Sequence, residues 1–244
     1  MTTDSSYSIL RRSAAWGVHF YTALGLPLMF LAAMELMTNY QAVTKDPRWF
    51  FIYIWIAVIV DSTDGFLART VKVSLVTPDF SGRRLDDLVD FLSFAFLPSL
   101  AFVVFDLLPI GYEAVAIIPI MASGYGFCQE KAKTTDSFVG FPSYWNVVLL
   151  YLYLFQTALW INAVVLIVLA VMVFVPIHYL YPSKTKLLMP LTLSLGALWG
   201  VSLVALSLYP HADWAPPVTL ISLAYPLYYF VVSLIHHRRV HASS

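Results

Sequence analysis

Residues 137–183 read SFVGFPSYWNVVLLYLYLFQTALWINAVVLIVLAVMVFVPIHYLYPS and contain no Asp, Glu, Lys or Arg over 47 residues. About a quarter of the residues of a soluble domain are charged, so this stretch is typical of a membrane protein. A helix needs about 20 apolar residues to cross a bilayer, and the stretch is therefore long enough for two spans. We place the tight turn between them near residues 160–162.

The rest of the 244-residue chain has the same character, since 60% of its residues are hydrophobic and only 11% are charged. The stretches between charges predict eight spans, with approximate bounds at 14–37, 49–69, 86–108, 111–130, 141–160, 162–181, 187–209 and 216–236. The chain is therefore predicted to be all-α, a polytopic helical membrane protein that forms a single integral domain over 1–244. Its core covers about 14–181, and an additional helix pair follows at about 187–236.

Charge and cysteine content make several classes of function poor candidates. Fourteen basic and fourteen acidic residues cancel, so no net charge draws the chain to nucleic acid, and we expect no nucleic-acid partner. The single cysteine, Cys128, cannot form an internal disulfide and has no partner for a CxxC metal or redox site.

The distribution of basic residues predicts the orientation in the membrane. Only Lys45 and Arg48 fall in one set of segments outside the spans, while twelve Lys and Arg residues fall in the other set. Positive residues accumulate in cytoplasmic segments, so both termini and the segments 70–85, 131–140 and 182–186 are predicted to face the cytoplasm. The twelve are Arg11, Arg12, Arg69, Lys72, Arg83, Arg84, Lys131, Lys133, Lys184, Lys186, Arg238 and Arg239.

Acidic residues are concentrated in one short part of the chain, since six of the fourteen fall between positions 61 and 90. A charged side chain in the middle of a membrane costs about 2.5 to 3.5 kcal/mol on insertion scales, so such acids are usually paired or functional. On a helix, positions i, i+3, i+4, i+7 and i+8 form one stripe. The first stripe consists of Asp61, Asp64, Gly65, Ala68 and Arg69.

A second stripe on the next helix contains Gly82, Asp86 and Asp90, at i, i+4 and i+8. The two helices are joined by a short segment, so they run antiparallel and can turn both stripes toward each other. Four carboxylates would then share one pocket, and hard divalent cations, which bind carboxylate oxygens, would relieve their repulsion. Two such ions about 3.5 to 4 Å apart are a common device of phosphoryl transfer.

Other residues of the stripes suit a ligand that contains phosphate. Gly65 and Gly82 leave room for a bulky ligand near the backbone, and Arg69 supplies a planar cation. Acids at a membrane edge are often only solvated or paired with a nearby Arg, and we assign that interpretation to Asp79 and Asp87. The isolated histidines of the apolar stretches, His19 and His178, are expected to be hydrogen-bonded core residues.

Written out, the two stripes are D-S-T-D-G-F-L-A-R over 61–69 and G-R-R-L-D-D-L-V-D over 82–90. They resemble the signature of the CDP-alcohol phosphotransferase family, D-x2-D-G-x2-A-R followed by G-x3-D-x3-D. The spacer 70–81 has twelve residues in place of the family's usual eight. This length, the segment 131–146 and the eight spans are similar to the bacterial phosphatidylcholine synthase branch.

The resemblance implies a role for each matched position. Two ions of manganese or magnesium would be held by Asp61, Asp64, Asp86 and Asp90, and Asp90 would also be the general base. The nucleotide of CDP-diacylglycerol would be bound by Asp61, Gly65, Ala68, Arg69, Gly82 and Asp86. Enzymes of the branch transfer the phosphatidyl group to choline and release CMP, and the family tends to form homodimers. The resemblance thus implies a bacterial inner-membrane enzyme in contact with membrane lipids, with its site facing the cytoplasm.

A choline acceptor would require an aromatic site. A quaternary ammonium cannot donate a hydrogen bond and is held mainly by aromatic faces. Aromatic and polar residues occur together where the fourth predicted span ends and the fifth begins. We predict a choline site there, formed by Tyr125, Phe127, Glu130, Tyr144, Trp145 and Asn146.

Two alternative functions are also compatible with the sequence. A related enzyme would use serine, inositol or glycerol phosphate as the acceptor, although a phosphorylated acceptor calls for more Arg or Lys near the site. A cation-coupled membrane transporter also uses intramembrane acids, but these usually lie near mid-membrane in repeated halves. Here the acids lie at one end of the predicted spans, and the sequence contains no visible repeat.

Overall fold

The computed structural model of the chain describes residues 7–130, 132, 134, 137–182 and 184–242, without the side chains of 241 and 242. Lys131 and Lys133, which contribute to the predicted orientation, lie outside the described residues.

The described chain is mainly helical. The helices are α1 (Ile9–Ala23), α2 (Gly25–Gln41), α3 (Arg48–Val71), α4 (Val73–Val76), α5 (Gly82–Asp90), α6 (Leu97–Val104), α7 (Ile117–Cys128), α8 (Trp145–Phe155), α9 (Leu159–Val173), α10 (Met189–Leu208), α11 (Ala215–Ser222) and α12 (Ala224–Ala242). A π-helical turn (Phe91–Phe96) joins α5 to α6, and a 3₁₀ turn (Glu113–Ala116) leads into α7. Two short strands, β1 (Ser137–Val139) and β2 (His178–Leu180), pair antiparallel.

The apolar helices agree with the predicted fold class. Within the described residues, five helices are long and apolar enough to cross a membrane, and three apolar helices are shorter. The long ones are Ile9–Gln41, Arg48–Val71, Gly82–Val104, Met189–Leu208 and Ala215–Val240, and the short ones are Glu113–Cys128, Trp145–Phe155 and Leu159–Val173. A polytopic helical membrane protein is therefore confirmed, while the three short helices correct the predicted lengths of the fourth, fifth and sixth spans.

The turn in the charge-free stretch lies at 156–158, and not at 160–162 as predicted. Gln156 adopts a left-handed backbone conformation there, with φ of 47°. Asn162, inside α9, is fully buried and donates a hydrogen bond from Nδ2 to the carbonyl oxygen of Leu107 at 2.8 Å. A hydropathy pattern does not reveal this polar contact. Because Asn162 lies inside α9, the turn is closer to the N-terminus than predicted.

The predicted sixth span, 162–181, extends too far at its C-terminal end. Helix α9 ends at Val173, and residues 178–180 form β2 instead of another helical turn. Pro176 follows the end of α9, and its ring prevents helical continuation. The His178 ring lies 3.0 Å from the hydroxyl of Ser137 through Nδ1, which confirms that this histidine is hydrogen-bonded.

Proline explains breaks within two of the long spans. Pro27 and Pro226 each lack the N–H that would bond to the carbonyl four residues earlier, and the helices break just before them, at Leu24 and Leu223. Pro98 follows the π-helical turn between α5 and α6 in the same way. The breaks separate α1 and α12 from the remainder of their spans.

The main hydrophobic core joins helices α2, α3, α6 and α8. Trp145 at the start of α8 is its largest fully buried side chain. The indole N–H of Trp145 donates to the hydroxyl of Ser123 on α7 at 2.7 Å, and Ser123 donates to Ser143 at 2.9 Å. These bonds fix the position of the N-terminus of α8 and thereby the position of Tyr144, the residue that precedes the helix.

The short hairpin attaches the C-terminal helix to the rest of the protein. The backbone N–H of Leu180 in β2 donates to the hydroxyl of Ser233 at 3.1 Å, and the Tyr229 hydroxyl donates to the carbonyl of Leu180 at 2.8 Å. Helix α12 therefore packs along β2. The predicted core over 14–181 and the following helix pair are thus in direct contact.

Gly140 at the end of β1 provides a test of how tightly the hairpin is held. Its φ is +85°, and a Cβ atom would lie 2.2 Å from the carbonyl oxygen of Val173. Gly111 has nearly the same φ, +84°, but open space around it, and is the matched control. Left-handed backbone alone costs an alanine about 1 to 2 kcal/mol.

We expect Gly111→Ala to lower the free energy of unfolding by about that amount, and Gly140→Ala to lower it further, because the hairpin must also move away from α9. Thermal unfolding of the purified protein in detergent measures both variants. Equal losses for the two would contradict the close contact at Gly140.

Candidate active site

Helix α1 packs against both α3 and α5 and so holds the two predicted stripes side by side. Helix α3 ends where Lys72 adopts a left-handed conformation, with φ of 57°. Helix α5 begins after Ser81, whose hydroxyl accepts a hydrogen bond from the backbone N–H of Arg84 at 3.3 Å. The C-terminal part of α3 and helix α5 therefore both lie against α1.

Three of the four predicted carboxylates form a compact group. Asp61, Asp86 and Asp90 each have a carboxylate oxygen within 4.8 Å of those of the other two. Asp90 is only 8% exposed, while Asp61 and Asp86 are partly exposed. We call these three side chains the acidic group.

The acidic group suits a hard divalent cation. Its donors are all carboxylate oxygens, which Mg²⁺ prefers at about 2.1 Å, so two oxygens on opposite sides of one ion are about 4.2 Å apart. Oxygens already within 4.8 Å of one another need only small shifts to share such an ion. The donor chemistry and the spacing both fit the expected metal, whose presence stays a prediction.

Asp64 has a different environment from the acidic group. Its side chain is 6% exposed and accepts a hydrogen bond from the hydroxyl of Thr22 on α1 at 2.7 Å. On the preceding residue, the Thr63 hydroxyl lies 2.8 Å from that of Tyr21. Helix α1 therefore orients Asp64 directly, and Thr22 is a site residue that the sequence reasoning missed.

A signal for Thr22 is present in the sequence. The buried positions of α1 are Ala15, Val18, His19 and Thr22, which fall at i, i+3, i+4 and i+7. Polar residues on the buried stripe of an apolar helix require hydrogen-bond partners. His19 and Thr22 could therefore have been recognised as residues that contact another polar group.

The two glycines of the stripes have different surroundings. A Cβ atom on Gly82 would lie 2.9 Å from Cε1 of His19, whose Nε2 is 2.9 Å from the Thr77 hydroxyl. The room that Gly82 leaves is thus filled by the His19 ring, which is a hydrogen-bonded core residue as expected. Within the part of the chain that the structure describes, the group next to Gly65 is the guanidinium of Arg69, 3.3 Å from where a Cβ would be.

The remaining residues near the stripes agree with their predicted surroundings. Arg69 is exposed, and Ala68 is partly exposed on the same helix. Asp87 lies 3.9 Å from Nε of Arg83, which confirms the surface pairing assigned to it. Asp79 is exposed.

The six residues predicted to bind choline have different surroundings. Tyr125 is 47% exposed and packs on Phe174, with 4.7 Å between ring centroids, and Phe127 packs edge to face against Phe91. Glu130 is exposed in a loop. The Trp145 ring is part of the core, so it is not available to surround a ligand.

Of this set, Asn146 is fully buried, and its side-chain oxygen accepts from the backbone N–H of Val147 at 2.8 Å. Tyr144 precedes α8, and its ring packs against Phe94 of the π-helical turn, with 6.0 Å between ring centroids.

Known phosphatidylcholine synthases are similar in sequence to this chain along most of its length. No protein-family model matches the chain. The chain is similar to the phosphatidylcholine synthase of Pseudomonas aeruginosa, with 33% identity over 87% of this chain and 88% of the relative. It is 35% identical to that of Legionella pneumophila, over 82% and 80% of the two chains, and 36% identical to that of Bradyrhizobium diazoefficiens, over 81% and 71%.

Because Gly65 and Gly82 have different surroundings, replacing each of them with alanine should change the free energy of unfolding in opposite directions. Gly82→Ala should lower the free energy of unfolding by about 1 to 3 kcal/mol, because the new methyl group displaces a buried ring. Gly65→Ala should raise it by up to about 1 kcal/mol, because alanine favours helix and the Arg69 side chain can move. Thermal unfolding in detergent measures both. A Gly82→Ala protein as stable as the parent would contradict the packing of His19 on α5.

Proposed function

The chain belongs to the phosphatidylcholine synthase family, and from this premise we propose that it transfers the phosphatidyl group of CDP-diacylglycerol to the hydroxyl of choline, with release of CMP. The acidic group is the observation that carries the proposal. It brings together acids from α3 and α5, the two helices that α1 holds side by side.

In the proposed site, Asp61, Asp86 and Asp90 hold Mn²⁺ or Mg²⁺, and Asp64 completes the set of acids from its position next to Thr22. Two ions of this kind, when bound, supply positive charge for the phosphate oxygens of the donor. The spacing and the donor chemistry of the acidic group support this assignment.

Asp90 is the proposed general base. An alcohol is a poor nucleophile at neutral pH, so its proton must be accepted as its oxygen approaches phosphorus. The choline oxygen forms a bond to the phosphorus that carries diacylglycerol, the bond from this phosphorus to the CMP oxygen breaks, and Asp90 accepts the hydroxyl proton. The low exposure of Asp90, 8%, supports this role, because little water competes for its carboxylate.

The nucleotide part of the donor is proposed to lie along the first stripe. The Arg69 guanidinium lies beside Gly65, 3.3 Å from where a Cβ atom would be. A planar guanidinium can contact two oxygens of one phosphate. Together with Asp61, Ala68 and Asp86, these residues form the proposed binding site for the cytidine diphosphate, whereas Gly82 packs against the His19 ring.

The proposal includes the location of the enzyme. The distribution of basic residues supports termini and a site that face the cytoplasm, in the inner membrane of a bacterium. A cytoplasmic site agrees with the chemistry, since a cytidine nucleotide is an intracellular, water-soluble product. A homodimer is proposed on the basis of the family resemblance alone.

A test of the function measures CMP release from CDP-diacylglycerol in mixed micelles when choline is added. We expect release with Mn²⁺ or Mg²⁺ and its loss with a chelator. Serine, inositol and glycerol phosphate, added in turn, should give much less CMP than choline. Release with one of these and none with choline would change the acceptor, and release unaffected by chelator would remove the metal from the mechanism.

Asp90→Asn tests the base. This substitution keeps the size of the side chain but removes its ability to accept a proton, so kcat should fall by at least about 100-fold. Asp87→Asn is the matched control, because the Asp87 carboxylate faces Arg83 and should change kcat by less than about twofold. Near-normal turnover of the Asp90→Asn enzyme would remove Asp90 from the proton transfer.

A further inference from the structure

The junction of α1 and α2 contacts both helices that carry the acids. At the end of α1, the Thr22 hydroxyl donates to Oδ2 of Asp64 on α3 at 2.7 Å. At the start of α2, Gly25 lies so close to α5 that a Cβ atom there would be 2.3 Å from Cγ1 of Val89. Val89 directly precedes Asp90 in the sequence. This junction therefore bridges Asp64 and the part of α5 that carries Asp90.

We propose that Thr22 is a positioning residue of the metal site, whose hydroxyl holds the Asp64 carboxylate in place and thereby raises the affinity of the site for Mn²⁺ or Mg²⁺. The inference rests on the proposed function, because the metal belongs to that proposal, and it deepens it with a residue outside both acidic stripes. Thr22 acts through Asp64, so its role differs from that of the acids themselves.

The direction of the Thr22 hydrogen bond is the first argument. A threonine inside a helix can donate to the carbonyl oxygen four residues earlier in the same helix. Thr38, Thr70 and Thr219 do so here, at 2.8 to 3.1 Å. Thr22 instead donates to a carboxylate on a different helix. Its hydroxyl therefore serves Asp64 and not the backbone of α1.

The surroundings of this bond are the second argument. Thr22 is 7% exposed and Asp64 is 6% exposed, so little water competes with the hydroxyl for the carboxylate. A hydroxyl bonded to an ionised carboxylate is typically about 2.5 to 2.7 Å from it, and the observed distance is 2.7 Å. A hydrogen bond with an ionised partner is stronger than a neutral one, and surroundings of low polarity strengthen it further. The bond is therefore able to fix the orientation of the Asp64 side chain.

Other contacts of α1 hold Thr22 in position. The residue before it, Tyr21, has its hydroxyl 2.8 Å from that of Thr63 on α3. Three residues before Thr22, Nε2 of His19 lies 2.9 Å from the Thr77 hydroxyl, in the segment that connects α4 to α5. Because these contacts restrain α1, a movement of the helix is not expected to replace the Thr22 hydroxyl once it has been removed.

The expected effect on the metal follows from how carboxylates bind it. Residues that hydrogen-bond to a metal-binding side chain fix its orientation, and their loss typically lowers metal affinity about 10- to 100-fold. The acidic group supplies three carboxylates that do not depend on this hydrogen bond. Loss of the Thr22 hydroxyl should therefore weaken the site without abolishing it, so that a higher metal concentration restores turnover.

The test measures Mn²⁺ binding to the purified full-length enzyme in detergent, without substrates, from the electron paramagnetic resonance signal of free Mn²⁺. Thr22→Val removes the hydroxyl with little change in shape, and we expect the Kd for Mn²⁺ to rise about 10- to 100-fold. Thr22→Ser keeps the hydroxyl, and its Kd should stay within about threefold of the parent value.

Thr219→Val is the matched control, because Thr219 is also buried, at 2% exposure, and donates to the carbonyl oxygen of Ala215 in its own helix. It should leave the Kd for Mn²⁺ unchanged. In the CMP-release assay, Thr22→Val should need about 10 to 100 times more Mn²⁺ for half-maximal turnover and should reach a kcat within about threefold of the parent at saturating Mn²⁺.

An unchanged Kd in Thr22→Val, or a Thr22→Ser enzyme as impaired as Thr22→Val, would overturn the positioning role. If Thr22→Val does not fold, Thr22→Ala is measured in its place, and failure of both variants to fold would assign Thr22 to the stability of the bundle and overturn the role as well. A parent enzyme that binds no Mn²⁺ would overturn the role together with the metal assignment. Mn²⁺ binding that depends on Thr22, without CMP release when choline is added, would instead refute only the proposed function.

Discussion

Repulsion among neighbouring carboxylates is the constraint on which the rest of this structure depends. Asp61, Asp86 and Asp90 have oxygens within 4.8 Å of one another at the edge of an apolar bundle, where water screens their charges poorly. Such a group forms only if the scaffold holds it and if its surroundings compensate the charge. Helix α1 provides the scaffold by packing on both α3 and α5, and the Thr22 hydroxyl compensates Asp64. The proposed divalent ions would supply the remaining compensation.

A two-stranded hairpin connects the C-terminal helix α12 to the rest of the protein. Strand β2 bonds to β1 on one side and to Ser233 and Tyr229 of α12 on the other. Pro226 follows the break at Leu223 that separates α11 from α12 within the last span. A division of the chain into a core and an appended helix pair therefore does not describe how these parts are held together.

The acidic group was predictable because its geometry is mostly local. Residues at i, i+4 and i+8 share a helix face whatever the rest of the fold does, so Asp86 and Asp90 required only the helical period. Thr22, by contrast, contacts Asp64 across 42 residues of sequence. Apolar periodicity does not specify which helices become neighbours in a membrane bundle, since lipid and protein interiors are equally apolar. The predicted turn near 160–162 was wrong for a related reason, because a stretch without charges contains little to mark where a helix ends.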